Sequence, residues 1–223
     1  MSDTQTEQNG KNGVQHVTIK PPRFGNAVFH VRGTAPLIVH RFSKKTKMEM
    51  MQKMITGKAS SSRKNREPKS LEELYNESYY KSPEGWYGIH ASCIRNASIS
   101  ACRLVGFKMV LAKLSIFVIA DGWDEAEPQI PLIRVYGEPV MQTDIARVET
   151  GQPYVTVRAA FHQWELKPRI RWDMDQFTLS DVTNLVMRVG LQVGICEGRP
   201  DSKNSAGMGW GVFELVNEDQ PSA

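Results

Sequence analysis

The sequence predicts an α+β fold with the element order strand, helix, strand, insertion, strand, helix, strand. Three observations carry this expectation. Ala27 to Arg32 alternates its faces as a strand does, and Ala91 to Leu104 keeps an apolar helical period. Thr178 followed by Asp181 opens a second helix, which Gly190 is placed to stop.

The chain has 223 residues, enough for one core carrying a sizeable insertion. It is 40% hydrophobic and 23% charged, ordinary values for a water-soluble globular domain. Its longest apolar run, Leu111 to Ala120, is interrupted by Lys113 and Ser115, so it reads as a strand and not as a membrane span. The N-terminus lacks the apolar core of a signal peptide. Three cysteines, Cys93, Cys102 and Cys196, are odd in number and far apart, which a reduced, cytoplasmic setting accounts for most simply.

Residues 1–24 read as a disordered leader, 25–216 as a single domain and 217–223 as a flexible tail. Thr34 to Phe42 continues the first strand as an extended, proline-marked segment. The following loop, 41–69, holds ten Lys or Arg against two Glu, although the whole chain carries only +4. Two readings stand here: a local contact with a polyanion, or a solvated loop. Met48 to Ile55 within it has the makings of a short helix.

Leu71 to Tyr80 reads as a helix and Gly85 to Ile89 as an approach strand. In the helix Ala91 to Leu104, Ile94, Ala97, Ala101 and Leu104 share an arc of about 80° suited to packing on a sheet. Ser92, Arg95, Asn96 and Arg103 share another arc of about 100°. Lys113 to Ala120 is expected as a strand. Residues 122–153, rich in Asp, Glu, Pro and Gly, are expected as a projecting insertion, with a hairpin around Leu132–Val135 and Val140–Gln142. Tyr154 to Phe161 returns as a strand. Trp164 to Trp172 follows with Leu166, Ile170 and Trp172 on one face, and with Pro168 marking an edge or bulge. Leu179, Val182, Leu185, Val186 and Val189 form the apolar stripe of the last helix, and Trp210 to Val216 is the closing strand. The whole reads as a ferredoxin-like plan with a split sheet and long inserted loops.

Two segments resemble the RAMP superfamily, the modified RNA-recognition folds that build CRISPR effector backbones. Tyr87-Gly88-Ile89-His90-Ala91-Ser92-Cys93-Ile94-Arg95-Asn96-Ala97 is similar to the strand, small-residue turn and helix start of that family. Ala91 stands where the family has glycine, and Arg95 occupies the basic position. Gly207-Met208-Gly209-Trp210-Gly211-Val212-Phe213 looks like its C-terminal glycine-rich loop and strand. The stretches Arg158 to Trp164, Asp175 to Gly190 and Gly194 to Phe213 also resemble uncharacterised phage-encoded proteins, which would place the chain in host cytoplasm.

The resemblance implies single-stranded RNA or DNA as partner, bound at a helix N-terminus and a close-approaching glycine loop. Ser92 and Asn96 would donate hydrogen bonds, Arg95 and Arg103 would neutralise phosphates, and Gly207 and Gly209 would admit the backbone. Trp210 is the tryptophan placed to stack on a base. His40, Arg41, Lys44, Lys45 and Lys47 would add a sequence-tolerant, salt-sensitive attraction. The insertion would reach a neighbouring subunit, giving a head-to-tail ring or filament.

Other chemistries are weaker. The glycine cluster precedes a strand, whereas a dinucleotide fingerprint follows one. The five histidines are scattered and no cysteine pair has metal-ligand spacing, so neither metal nor cofactor is expected. His90 beside Ser92 lacks an identifiable acid partner, and Asp121, Asp124 and Asp144 read as loop residues. The expected function is therefore a non-enzymatic, largely sequence-independent single-strand binder. The alternatives are a phage assembly subunit that binds no nucleic acid, and a processing ribonuclease.

Overall fold

Mixed helix and antiparallel sheet form the observed architecture, as expected. The computed structural model describes residues 19–41, 44–57, 70–147, 153–202 and 207–216. The predicted tail, and all but the last few residues of the predicted leader, lie outside that range.

In chain order the first strands are β1 (Phe24–Val28), β2 (Val31–Gly33) and β3 (Leu37–Val39), followed by helices α1 (Lys44–Thr56) and α2 (Leu71–Ser78). Next come β4 (Tyr80–Lys81), β5 (Tyr87–His90), α3 (Ala91–Leu104), α4 (Met109–Ser115) and β6 (Ile116–Ile119). Then follow β7 (Gly122–Trp123), β8 (Pro131–Tyr136), β9 (Val140–Arg147), β10 (Pro153–Phe161), β11 (Glu165–Leu166) and β12 (Arg169–Asp173). Helix α5 (Leu179–Arg188), a π turn (Val189–Val193) and β13 (Phe213–Leu215) complete the described fold.

The strand expected over Ala27 to Arg32 is two strands, β1 and β2, broken at Phe29-His30. Its partner, Trp164 to Trp172, breaks at the same level into β11 and β12. Pro168 has no N–H to continue the ladder, and its carbonyl instead accepts from Phe29 N–H at 3.1 Å. One half of this bent ribbon, β1 with β12, is flanked by β6. The other half, β2 with β11, lies between β13 and β8, and that sheet continues through β5 to β4. A third sheet has the order β3, β10, β9.

Helix α3 has the predicted bounds, and Ile94, Ala97 and Ala101 are buried as expected, whereas Leu104 is exposed. It packs against β6, α4, α5 and the π turn. Phe161, Phe213, Leu37, Ile89, Ile116, Leu166 and Ile170 are fully buried in the core. Each such side chain contributes about 2 kcal/mol relative to exposure.

Four expectations are corrected. Lys113 to Ala120 is helical up to Ser115, because the uninterrupted apolar run Met109 to Ala112 fits a helix as readily as a strand. In the loop 41–69 the helix expected over Met48 to Ile55 is present but longer, the 13-residue α1, while 58–69 lie outside the described residues. Of the expected insertion 122–153, the described segment 131–136 is not peripheral. Strand β8 is interior, paired with β5, β7 and β11, and Leu132, Ile133 and Val135 are buried. The hairpin partner of β9 is β10, not β8. Finally, Gly190 does not stop the last helix. It lies inside the π turn, where a Cβ would drive into the Phe213 carbonyl oxygen, so this glycine lets β13 approach. The stop is Gly194 (φ 70), whose N–H donates to the Val189 carbonyl at 2.7 Å. The capping box of Thr178 and Asp181 is formed as predicted.

Candidate functional site

A pocket of about 250 Å³ opens where the first turns of α3 meet the chain leaving the π turn. Its wall includes Ser92, Asn96 and Ser100 from α3, His40 beyond β3, and Cys196, Glu197 and Arg199. The helix entrance is capped by His90, whose Nδ1 accepts the Ser92 backbone N–H at 3.0 Å. Burial holds the His90 imidazole below its ordinary value of 6.5, in keeping with an acceptor that must be neutral.

The described parts of the segment 194–211 are held in place by backbone bonds on both sides. Ile195 N–H donates to Gly211 O at 3.0 Å, Glu197 N–H to Ile38 O at 3.2 Å and Gly211 N–H to Pro36 O at 2.8 Å. Gly211 sits at φ 68, and a Cβ there would meet the Ile195 carbonyl oxygen. Local glycine content and pairing with β3 thus bring residues near 197 to the helix start.

Within the pocket Glu197 accepts from Arg158 at 2.7 Å, and His40 Nδ1 stands 3.3 Å from the same carboxylate. Burial pushes the Glu197 carboxyl up, but His40 and Arg158 together bring it below its ordinary value. Arg158 also reaches Asp144 at 3.0 Å. Burial pushes the Tyr80 hydroxyl in the wall up to about 12, so it is a neutral donor. Arg199 Nη1 donates to the Cys196 carbonyl at 3.1 Å. Among the described residues, no carboxylate lies within ion-pair distance of Arg199.

Of the predicted site residues, the pocket gathers His40, Ser92 and Asn96. Arg95 points elsewhere: it donates to the carbonyls of Ile116 at 3.0 Å and Lys113 at 2.6 Å, and lies over the Phe117 ring. It therefore ties α4 and β6 to α3. Arg103 pairs with Asp201 at 2.7 Å. Arg41 pairs with Asp124 at 2.8 Å and Glu127 at 2.9 Å, and Lys47 also binds Glu127. Lys44 and Lys45 belong to the first turn of α1. Gly207 and Gly209 both have left-handed backbone at the far end of the loop, and Trp210 packs its ring against Gly198.

Cys93, Cys196, Glu197 and Arg199 are pocket residues that sequence reasoning did not select. Their signal was Gly198-Arg199-Pro200 within the glycine-rich stretch, a cation beside a residue of left-handed backbone. Neither His90 nor the acids form a nucleophile and base pair. Asp121 accepts the Arg134 N–H at 3.0 Å, Asp124 is buried against Arg41, and Asp144 holds Arg158. Among the described residues no three His, Cys, Asp or Glu stand close enough to hold a metal ion. No described helix is long and apolar enough to cross a membrane.

The arrangement is an α+β scaffold presenting a small pocket lined by apolar residues, hydrogen-bonding side chains and the Glu197 carboxylate, with Arg199 unpaired to any described acid. Compared with known proteins, the chain matches no family model and no curated relative.

Proposed function

We propose that this is a non-enzymatic, largely sequence-independent binder of single-stranded RNA or DNA built on a ferredoxin-like core. Joining each broken ribbon gives the order β13, β1/β2, β11/β12, β6. With α3 between the first and second core strands and α5 between the third and fourth, this order favours reading the core as a split βαβ arrangement. It supports kinship in fold with the modified RNA-recognition domains, whose members bind nucleic acid.

The observation that carries the function is the meeting of Arg199 with Ser92, Asn96 and the first turn of α3 around one pocket. The positive end of a helix, side-chain donors and a guanidinium suit a phosphate, and such contacts position a strand without reading it. Helix α1 carries Lys44, Lys45 and Lys53 besides the Glu127-paired Lys47, and so supplies further cationic character.

The test is titration of nuclease-treated protein with labelled single-stranded RNA and DNA at two salt concentrations, with sizing of the complexes. Salt-sensitive binding supports the reading and identifies the ligand. Absence of binding to both would end it.

A second reading, assembly without nucleic acid, is favoured by a separate observation. Helix α1 exposes Met48, Met50, Met51, Met54 and Ile55, and the β9–β10 hairpin exposes Ile145 and Val155. Two unlike apolar surfaces on one chain suit a head-to-tail contact that forms rings or filaments. This reading expects multimers in nucleic-acid-free protein, with little dependence on salt.

A further inference from the structure

Cys93 is the third residue of α3, and Cys196 lies in the loop after the π turn. Far apart in sequence, they meet in the wall of the pocket. The two thiols are close enough to act on one another's protons, and both face the same cavity. Cys196 has φ 62, a left-handed backbone shared by no other non-glycine residue among those described. That conformation is unfavourable for a residue with a Cβ, and the surrounding bonds hold it. Ile195 and Glu197 are tied to Gly211 and Ile38, and Arg199 donates to the Cys196 carbonyl. The strained residue is thereby held in the same pocket wall as Cys93. Cys102, on the same helix, is fully buried and outside the pocket wall.

We propose that Cys93 and Cys196 are an oxidisable dithiol, in which a small hydroperoxide entering the pocket reacts at Cys93 and Cys196 closes an intramolecular disulfide. The roles of the two sulfurs differ. The Cys196 hydrogen bond, and after it the Arg199 charge, hold the Cys93 thiol below its ordinary value of 9.0 against the opposing effect of burial. The positive end of α3 favours the same thiolate. The hydrogen bond to Cys93, followed by burial, pushes Cys196 well above its ordinary value, so it keeps its proton until the second step. Burial pushes Cys102 up to about 11, leaving it inert.

In the first step the Cys93 thiolate attacks one peroxide oxygen, the O–O bond breaks, and hydroxide or alkoxide leaves from a sulfenic acid. In the second, the Cys196 sulfur displaces the hydroxyl from Cys93, and its proton departs with that hydroxyl as water. Two electrons pass from the sulfur pair to the peroxide. The product joins the glycine-rich loop covalently to α3, closing one wall of the pocket.

The test uses the full chain, treated with stoichiometric hydrogen peroxide, alkylated under denaturing conditions and mapped without reduction. The expected result is a linked Cys93–Cys196 peptide, a mass loss of two hydrogen atoms, alkylated Cys102 and reversal by dithiothreitol. Cys196→Gly, which suits the left-handed backbone, should stop at a Cys93 sulfenic acid captured by dimedone. The proposal is overturned if wild-type Cys93 is recovered as free thiol or as sulfinic acid without the link, or if Cys102 supplies the crosslink.

Discussion

The guanidinium of Arg41 lies 2.8 Å from the carboxylate of Asp124, with the two side chains 9% and 1% exposed. A charge pair so withdrawn from water is costly to break, because the surviving partner is left charged without full compensation. Glu127 remains beside Arg41, so Asp124→Asn should cost about 3 kcal/mol, at the low end for such losses. Urea denaturation measures it, and an unchanged midpoint would contradict the arrangement. For the same reason, reversing the charge at Arg41 tests folding before it tests binding.

Acid should weaken the fold in two stages. His90 is neutral when folded, with its pKa held by burial below the ordinary 6.5. The unfolded chain therefore binds the proton more readily, and stability present above pH 6.5 is lost as the pH falls through the folded value. His90→Asn caps without titrating and should flatten that part of the curve. The second stage starts below the ordinary carboxyl value of 4.5. Glu127 is held low by Lys47 and then Arg41, and Glu165 by Arg32 and then His30. Thermal midpoints across the range from neutral to acid would resolve both stages.

Two loop glycines separate conformational cost from collision. Gly209 has φ 75 and open space around its missing Cβ, so Gly209→Ala should cost about 1–2 kcal/mol. Gly211 has a similar φ, but its added methyl would also strike the Ile195 carbonyl. Gly211→Ala should therefore be clearly the more destabilising, as read by thermal denaturation. Equal losses would refute the contact.

If the pocket takes a phosphate, Arg199→Ala should weaken single-strand binding about equally across sequences and reduce the salt slope by about one. Arg95→Ala should leave that slope unchanged and lower stability instead, because its guanidinium holds the carbonyls of Lys113 and Ile116. Salt-dependent titration paired with denaturation checks both variants.

Where local chemistry decides structure, the chain was legible. Ile94, Ala97 and Ala101 marked the buried face of α3, and Thr178 with Asp181 marked the start of α5. It was illegible where tertiary pairing decides. Leu132, Ile133 and Val135 looked like part of an outlying insertion because their flanks are polar, yet β5 and β11 cover both edges of their strand. Arg41 and Arg103 read as available cations because the acids that hold them are remote in sequence. Within the pocket, Ser92 and Asn96 followed from helix phase, but Glu197 and Arg199 arrive through the bridge between Ile38 and Glu197. No periodicity encodes such a bridge.

The bent ribbon sets the order in which the molecule can be made. β2 gains its two neighbours, β11 and β13, only from late in the chain: Arg32 faces Glu165 on one side and Glu214 on the other. During synthesis the early strands must therefore leave the ribosome with both edges open, at the mercy of chaperones and of other nascent copies. Closure entropy is met across most of the polypeptide before the central contacts return it, which places this fold among slow, late-committing ones.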